Sequence, residues 1–263
     1  MSGAVFVVGA GAVGRSLSRA LVAGGVVLSS DRDTAQTVLL AVPDDQVSVV
    51  ATDAAARGLA RGHQVWLHCA GRLGAEALDP VAPLVLGTGA FHPAFVFPKG
   101  RETALPRGVR FAVDCRGAAR LRAAELAGAM GGSIVDVPAA ARSAYHAAAV
   151  LASNQLVAVI ATARDLLVSH GVPAGEAEAL LAGLARGAVE SVLELGAEGA
   201  LTGPIRRGDA ATVAAHLAAL GGDPCALHLY IALSRATLAL AARDPAYPPA
   251  VAAAITALLD GRP

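Results

Sequence analysis

Residues 4–14 read Ala4-Val5-Phe6-Val7-Val8-Gly9-Ala10-Gly11-Ala12-Val13-Gly14, and this stretch decides the fold. An apolar run typical of a buried β-strand stops at Gly9, and the following sequence as far as Ala23 is typical of a helix. The three glycines fit the G-x-G-x-x-G pattern, in which they permit a tight turn, a close backbone approach and close packing of helix on strand. The stretch therefore predicts a strand, a glycine turn and a helix in immediate succession.

A helix that begins directly after such a turn presents free N–H groups and the positive end of its dipole to an anion. We therefore predict that a dinucleotide pyrophosphate binds here, and that the binding residues are Gly9, Gly11, Ala12, Val13 and Gly14. A turn that serves only to reverse the chain is the structural alternative, because the motif by itself is shared by many proteins.

Composition excludes several other classes of protein. The 263 residues carry 21 basic and 21 acidic side chains, so no charged surface for nucleic acid is expected. The chain is 55% apolar but shows no uninterrupted apolar run long enough for a bilayer, so no membrane partner is expected. The three cysteines, Cys69, Cys115 and Cys225, form no C-x-x-C pair; this predicts no disulfide framework, no metal site and a reducing cytoplasm. No signal peptide is expected at the N-terminus.

The pattern of apolar runs divides the chain into two parts. Short apolar runs that alternate with turns and helical segments predict a parallel, doubly wound sheet, with strands at 4–8, 26–28, 38–42, 65–68, 84–86 and 109–113. Beyond residue 138 the sequence favours helices, at 139–170, 176–195, 210–220 and 227–242. We expect an α/β fold with an N-terminal Rossmann domain over residues 1–138 and an all-helical domain over residues 139–263.

Several local strings occur together. They are Leu40-Ala-Val-Pro-Asp44, His68-Cys-Ala-Gly71, Gly89-Ala-Phe-His-Pro93, Tyr145 to Asn154, and Leu201-Thr-Gly-Pro204 with Gly208-Asp209. This combination closely resembles a bacterial family of Rossmann-like proteins that carry a C-terminal helical domain of unknown function, number 2520 in its series. More distantly, the layout is similar to pyrroline-5-carboxylate reductase, ketopantoate reductase and the β-hydroxyacid dehydrogenases. In those enzymes a helical domain closes the active site and often dimerises. The resemblance implies an oxidoreductase, a small-molecule substrate and a homodimer, but no particular substrate.

The adenosine end of a dinucleotide is expected about 20 residues after the glycine turn. Asp31 favours NAD, because a carboxylate accepts a hydrogen bond from the ribose 2′-hydroxyl. Arg32 with Ser29 or Ser30 favours NADP, because these side chains bind a 2′-phosphate. We predict NADP, with NAD and a merely solvated turn as alternatives.

The same region is short. Only four residues lie between Asp33 and the strand predicted from Val38, and they cannot form both a helix and a strand. One β–α unit is therefore expected to be missing, which makes the predicted adenine pocket shallower.

Ligands of open parallel sheets lie beyond the carboxyl ends of the strands. Val42 and Pro43 follow one predicted strand and are expected near the nicotinamide ribose, although a proline that simply ends a strand is equally consistent. Gly71, after His68, permits close backbone approach to the cofactor. His92 ends another strand, and a histidine there is a candidate proton donor or substrate ligand. His68 is a second candidate, and both histidines have the alternative of a turn residue bonded to backbone.

The long predicted helix carries a second group of polar residues. His146, Ser153 and Asn154 share one side of a regular helix, so we predict that they line the substrate groove. In ketopantoate reductases and β-hydroxyacid dehydrogenases a lysine precedes such an asparagine by four positions, but here that position is Val150. The missing acid favours an imine substrate, which needs no proton at its reacting bond, or a histidine as replacement acid. Hydrogen bonding between helices is the alternative role.

A polar string between two predicted helices allows two interpretations. Thr202 and Arg206 can reach a substrate carboxylate, or the segment is an ordinary turn in which Asp209 caps the helix from Ala210. The sequence as a whole predicts an NADP-dependent reductase of a small C=N or C=O substrate. A non-catalytic NADP(H) sensor and hydride transfer to a deazaflavin are the alternatives, and neither the substrate nor the direction of reaction is determined.

Overall fold

A computed structural model describes residues 3–98, 100–101 and 103–261. These residues form two compact units, Met1–Ser153 and Asn154–Pro263, which we call the first and the second unit. The division comes after Ser153 and not after residue 138, where the change of sequence pattern placed it. The reason is that side chains just beyond 138 bond to the sheet: the guanidinium of Arg142 donates to the carbonyl of Ala112, and Tyr145 contacts His92.

The first unit is built on one six-stranded sheet. Its strands, in both chain order and spatial order, are β1 (Val5–Val8), β2 (Thr37–Leu40), β3 (Val65–His68), β4 (Gly87–Pro93), β5 (Arg110–Cys115) and β6 (Ser133–Asp136). Neighbouring strands are parallel except β4 and β5, which are antiparallel. The predicted doubly wound α/β fold is confirmed, with a mostly rather than wholly parallel sheet.

Helices cover both faces of this sheet. They are α1 (Ala12–Ala23), α2 (Asp44–Ala56) and α3 (Ala119–Ala129). Because successive strand residues point to opposite faces, Leu39 packs with the core beneath α1 and α3, whereas Leu40 packs with the core beneath α2. The strands are therefore buried on both sides, as the continuous apolar runs predicted.

Two of the predicted strands differ from the structure, and one observed strand was not predicted. The prediction at 84–86 was wrong: Ala82–Leu84 is a 3-10 turn, and β4 begins only at Gly87. The strand predicted at 26–28 is reduced to one parallel bridge between Leu28 and Val5. β6 was missed, because two of its four residues are exposed and the strand lacks the apolar run of a buried one.

The chain between α1 and β2 is short, as the spacing predicted. After the Leu28 bridge it passes through a turn and enters β2, which pairs with β1 on the other side. No second β–α unit separates the two in the described chain. β1 therefore has a strand along one side and only the Leu28 bridge along the other.

Helical structure continues from the first unit into the second. After a 3-10 turn at Ala139–Ala141 come α4 (Arg142–Val150), a π-helical turn (Leu151–Gln155) and α5 (Leu156–Ser169). The sequence predicted one regular helix here and missed the π-helical turn, because the i→i+5 pattern leaves no mark in the apolar spacing.

The remaining helices of the second unit are α6 (Ala174–Ala200), α7 (Gly203–Arg207), α8 (Ala210–Ala219), α9 (Pro224–Ala241) and α10 (Pro249–Asp260). α7 to α10 share an apolar core that includes Ile205, Val213 and Ile255. The carboxylate of Asp209 accepts from the backbone N–H of Thr212 at 3.0 Å, so its predicted role as the cap of α8 is confirmed.

Two helical stretches of the described chain are, by length and composition only, long and apolar enough to cross a membrane. They are Ala139–Ser169 and Pro224–Ala241. This is weak evidence for a membrane, since helices of water-soluble proteins meet the same criterion.

Candidate functional site

The glycine turn between β1 and α1 is held by two close backbone contacts. Gly9 has φ +117°, and a Cβ there would lie 2.3 Å from the carbonyl oxygen of Ala41. A Cβ on Gly14 would lie 2.1 Å from the carbonyl oxygen of Gly9. Both positions therefore require glycine for the fold itself, independently of any ligand.

Gly11 differs from the other two glycines of the motif. A Cβ built on Gly11 meets no atom within 4 Å, and its φ of −72° suits any residue. Gly11 is also the N-cap of α1, where no side chain caps the helix and no acidic residue lies in the first turn. Open space in front of an uncapped helix end fits a pyrophosphate, for which Ala12 and Val13 supply neighbouring N–H groups.

The second group of predicted cofactor residues lies elsewhere. The side chain of Gln64, which precedes β3, donates to the carbonyl of Arg32 at 2.6 Å, and Arg61 pairs with Asp33 at 2.7 Å. Ser29 is bonded to Val5, the first residue of β1. The backbone from Ser29 to Asp33, including Ser30, therefore lies at the amino edge of the sheet.

The glycine turn lies at the opposite, carboxyl edge, roughly 13 Å along β1 at about 3.3 Å per residue. The structure does not bring Ser30 and Arg32 to the phosphate turn. The reason is the missing β–α unit: the strand that would carry these residues along β1 ends after one bridge.

Val42 and Pro43 lie where the sequence placed them, at the carboxyl end of β2. Pro43 is the N-cap of α2, and Asp44 and Asp45 occupy the first helical turn, where carboxylates stabilise the helix dipole. Ala41 in the same segment contacts Gly9 and bonds to Val8. The structure thus brings this segment beside the glycine turn.

His68 is a structural residue. It is fully buried, its Nδ1 accepts from the backbone N–H of Ala70, and its Nε2 donates to the carbonyl of Gly74 at 2.9 Å. Burial lowers the pKa of His68, so the ring is neutral and both nitrogens are occupied. The alternative interpretation of this histidine, a turn residue bonded to backbone, is the one that the structure shows.

His92 has one nitrogen engaged by a tyrosine. Its Nδ1 lies 2.7 Å from the hydroxyl of Tyr145, and the two rings meet edge to face. Burial, followed by the positive charge of Arg142, lowers the pKa of His92 to about 4, while burial raises the pKa of Tyr145. Tyr145 therefore keeps its proton, and its hydroxyl shares one hydrogen bond with Nδ1 of the neutral His92; when Tyr145 is the donor, the single imidazole proton of His92 resides on Nε2.

Two imidazoles converge on Gly71. A Cβ on this residue would come within 2.9 Å of both Nε2 of His92 and Nδ1 of His146. Gly71 therefore has to be glycine because its backbone lies close to these two rings. Nδ1 of His146 is buried and has no hydrogen-bond partner. The structure thus assembles His92, His146, Tyr145 and Gly71 in one cluster at the carboxyl ends of β3 and β4.

Arg142, which the sequence analysis missed, completes this cluster. Its side chain is 1% exposed, and its guanidinium carbon lies 5.9 Å from the centre of the Tyr145 ring. One guanidinium nitrogen donates to the carbonyl of Ala112 at 3.3 Å, whereas Nε and Nη1 have no partner. In addition to the effect of burial, the charge of this cation lowers the pKa of His92. The sequence feature that could have pointed to Arg142 is its position as the one arginine at the start of an alanine-rich predicted helix.

Ser153 and Asn154 lie in the π-helical turn. The hydroxyl of Ser153 donates to the carbonyl of Ala149 in the same helix, at 2.6 Å. The wider turn changes the angular spacing from His146, so the shared face expected of a regular helix does not hold through this segment. Asn154 is the first residue of the second unit. A role of these two residues toward substrate stays a prediction.

Cys69 is a free, buried thiol. Burial raises the pKa of the Cys69 thiol to about 12, which keeps it protonated and unreactive. In the described ranges no group of three or more His, Cys, Asp or Glu side chains is arranged to hold a metal ion.

Residues 109–237 match the family described as "Domain of unknown function (DUF2520)". The chain carries a DUF2520 domain. The resemblance inferred from the local strings is confirmed, and the matched segment begins at β5 and ends within α9, so DUF2520 includes Arg142, Tyr145 and His146. No curated protein shows significant sequence similarity to the chain.

The similarity to solved structures with the same fold extends over nearly the whole chain. A protein from Thermotoga maritima is 24% identical, with a TM-score of 0.70, and the match covers 92% of this chain and 99% of that one. A Bacteroides fragilis protein assigned as an NADP oxidoreductase is 22% identical, with a TM-score of 0.65 and coverage of 90% and 98%. Pyrroline carboxylate reductase from Plasmodium falciparum, solved with NADP bound, is 12% identical, with a TM-score of 0.57 and coverage of 90% and 97%. At these identities the likeness shows the fold.

The contrast between Gly11 and Gly14 gives a matched pair of variants. We expect Gly11→Val to fold with an unchanged thermal midpoint, since its side chain meets open space, and to lose nucleotide binding at least tenfold. Gly14→Ala should lower the thermal midpoint, because its methyl group collides with the Gly9 carbonyl. Thermal unfolding and calorimetric titration with NADPH measure both effects; a stable Gly11→Val protein that still binds NADPH as the wild type does would contradict the phosphate assignment.

The depressed pKa of His92 predicts a loss of stability in acid. The unfolded chain takes up this proton near pH 6.5 and the folded one only near pH 4, so stability falls as the pH drops through that interval. The contribution of His92 is about 3 kcal/mol at most. Urea unfolding at pH 7.5 and 5 should show this loss in the wild type and a smaller one in His92→Gln. The exposed His63→Gln variant is the control, and an equal pH dependence in all three proteins would refute the buried neutral imidazole.

Proposed function

We propose that this protein is an NADP-dependent reductase of a small substrate with a C=N bond. The open approach to Gly11 in front of the uncapped end of α1 carries the proposal, because it leaves space for a pyrophosphate where the fold exposes helix N–H groups. The chain shares its fold with a protein assigned as an NADP oxidoreductase and with a reductase that was solved with NADP bound. These two likenesses support NADP as the cofactor.

When bound, the nicotinamide supplies a hydride to the electrophilic carbon. The residues of the chain that we assign to this step are those of the cluster around Gly71. We assign His92 with Nδ1 bonded to the hydroxyl of Tyr145 and with its proton on Nε2, where the N–H can donate to the nitrogen lone pair that develops as the hydride adds. His146 contributes a second buried ring nitrogen beside it.

The protonation state of His92 favours C=N over C=O. Reduction of a carbonyl requires a proton at oxygen, and an imidazole with a pKa of about 4 carries no spare proton near neutral pH. A protonated imine already holds the proton that its nitrogen keeps after hydride addition, so it needs no acid. Its nitrogen gains a lone pair as the hydride adds to the carbon, and only that lone pair can accept a hydrogen bond. Val150, where related enzymes have lysine, is consistent with the same substrate class.

A substrate panel tests this proposal. The purified protein is mixed with NADPH and cyclic imines or 2-keto acids, and NADPH consumption is followed by absorbance. We expect turnover of imines; turnover of keto acids alone would overturn the C=N assignment. NADPH binding without turnover of any substrate, deazaflavin included, would favour the sensor alternative.

Variants of the cluster test the role of His92. His92→Gln should lower kcat for an imine by about tenfold or less, because only orientation and one hydrogen bond are lost, whereas loss of a general acid costs typically 10²–10⁴-fold. Tyr145→Phe should lower kcat by a similar small factor, because His92 loses the hydroxyl that fixes its tautomer. The exposed His63→Gln protein is the matched control. A loss of 10³-fold or more in His92→Gln would mean that His92 delivers a proton and that the substrate is a carbonyl.

We further propose that the protein is a homodimer through its second unit. Helix α6 exposes large apolar side chains around its circumference: Leu184 is 67% and Leu193 81% exposed, and they lie on opposite sides at about 100° per residue. Several exposed leucine and valine side chains on one helix favour an interface with a second copy, although charged side chains lie between them. α5, α8 and α9 line an apolar groove of about 320 Å³. Apolar side chains of a second copy can pack into this groove. The distantly similar enzyme families often dimerise through their helical domains.

Sedimentation of matched variants tests the dimer. We expect the wild type to sediment as a dimer and the Leu184→Glu, Leu193→Glu double variant to dissociate, because each charge would enter the apolar interface. Leu121→Glu, equally exposed on α3 of the first unit, should remain dimeric. A monomeric wild type at micromolar concentration would overturn the proposal.

A further inference from the structure

Arg142 at the start of α4 is a buried cation whose hydrogen-bond donors the protein only partly satisfies. Its side chain is 1% exposed, and one guanidinium nitrogen donates to the carbonyl of Ala112. Nε and Nη1 are buried and have no partner among the described residues. Burial lowers the pKa of Arg142, which means that its surroundings disfavour the positive charge. Buried charged donors without acceptors are rare in proteins because they cost free energy, so these two nitrogens call for an acceptor from outside the chain.

The acidic side chains whose charges act on Arg142 bond to backbone instead. Asp114 accepts from the backbone N–H of Ala75 at 2.7 Å, and Glu76 accepts from the backbone N–H of Gly74 at 2.9 Å. Both carboxylates favour the charged guanidinium through space, but neither is a hydrogen-bond partner of Nε or Nη1. The protein thus supplies countercharge at a distance and leaves the donors themselves for another group.

His146 places a second unpaired nitrogen on the same side of the helix. It follows Arg142 by four residues on α4, so the two side chains are neighbours on one helix face. Nδ1 of His146 is buried and has no hydrogen-bond partner. Tyr145 lies on this side too, with its ring near the guanidinium and its hydroxyl bonded to His92. Because His146 and Tyr145 are partly exposed, this face of α4 is accessible from solvent beside the buried arginine.

We propose that Arg142 and His146 bind a carboxylate of the substrate, which makes the substrate an imine with a carboxylate next to its C=N bond. A carboxylate has two oxygens and accepts charge-assisted hydrogen bonds from a guanidinium as well as a bond from an imidazole N–H. His146 donates from Nδ1, and rotation of its partly exposed ring admits the carboxylate to the guanidinium. The neighbouring C=N bond then lies beside His92, which Tyr145 connects to Arg142. This inference rests on the proposed reductase function.

A matched pair of imines tests the assignment. In 1-pyrroline-2-carboxylate and 2-methyl-1-pyrroline the same ring carries a carboxylate or a methyl group on the carbon of the C=N bond. We expect the wild type to prefer the carboxylate in kcat/KM by about a hundredfold, and Arg142→Met to lose most of this preference through KM. Arg142→Lys should retain part of it, since lysine keeps the charge but not the planar set of donors. The exposed Arg72→Met variant, next to Gly71, is the matched control and should change the preference by less than about threefold.

Thermal unfolding separates this role from a structural one. Arg142→Met should keep or raise the thermal midpoint, because it replaces a buried cation with unpaired donors by an apolar side chain of similar length. A clearly lowered midpoint in both Arg142→Met and Arg142→Lys, with an unchanged preference between the two imines, would mean that Arg142 serves only the fold and would overturn the inference.

A ligand that hydride cannot reduce tests the carboxylate site independently of turnover. We expect calorimetry, with and without NADPH, to show binding of pyrrole-2-carboxylate but not of pyrrole, and Arg142→Met and His146→Leu each to weaken it about tenfold or more. Imine turnover by a wild type that does not bind pyrrole-2-carboxylate and does not prefer the carboxylated imine would overturn this inference and uphold the reductase. Binding that depends on Arg142, without turnover of any imine, would uphold the carboxylate site and overturn the reductase.

Discussion

Close backbone packing at one glycine turn is the constraint on which the first unit depends. Gly14 lies against the Gly9 carbonyl, and Gly9 lies against the Ala41 carbonyl, so the turn fixes α1, β1 and the end of β2 together. Because these contacts leave no space for a Cβ, the motif is required by packing at two of its glycines. Gly11 alone is left facing open space, so the same turn that holds the fold together exposes the end of α1 to an anion.

Loss of one β–α unit has consequences at both edges of the sheet. β2 pairs directly with β1, and the polar turn before it is tied to the amino edge by Gln64 and Arg61. At the carboxyl edge, β1 has no strand beside it on one side in the described chain. Residues of β1, the glycine turn and α1 line a cavity there. The two effects have one cause, which is that no β–α unit lies between α1 and β2 in the described chain.

The imidazole cluster shows how burial sets chemistry. His68 and His92 both lie at strand carboxyl ends, but His68 has two backbone partners and is only structural. His92 has one nitrogen held by Tyr145 and the other beside Gly71 and His146. Arg142, buried with two unpaired donors, adds to the effect of burial in lowering the pKa of His92, so this imidazole is neutral near pH 7 and is not a strong acid.

The sequence by itself determined the strand–turn–helix unit, the change to helices beyond the sheet, the missing β–α unit and the Asp209 cap, because each depends on local spacing or on a local hydrogen bond. It also singled out His92 and His146. The sequence did not reveal the antiparallel β4–β5 pair, the π-helical turn, the burial of Arg142 or the position of Arg32. These features depend on which segments meet in space: Arg32 belongs to the amino edge because Gln64, 32 residues away in the chain, bonds to it there. Only the tertiary structure decided which polar residues share a site, since contacts between distant segments are set by packing of the whole unit.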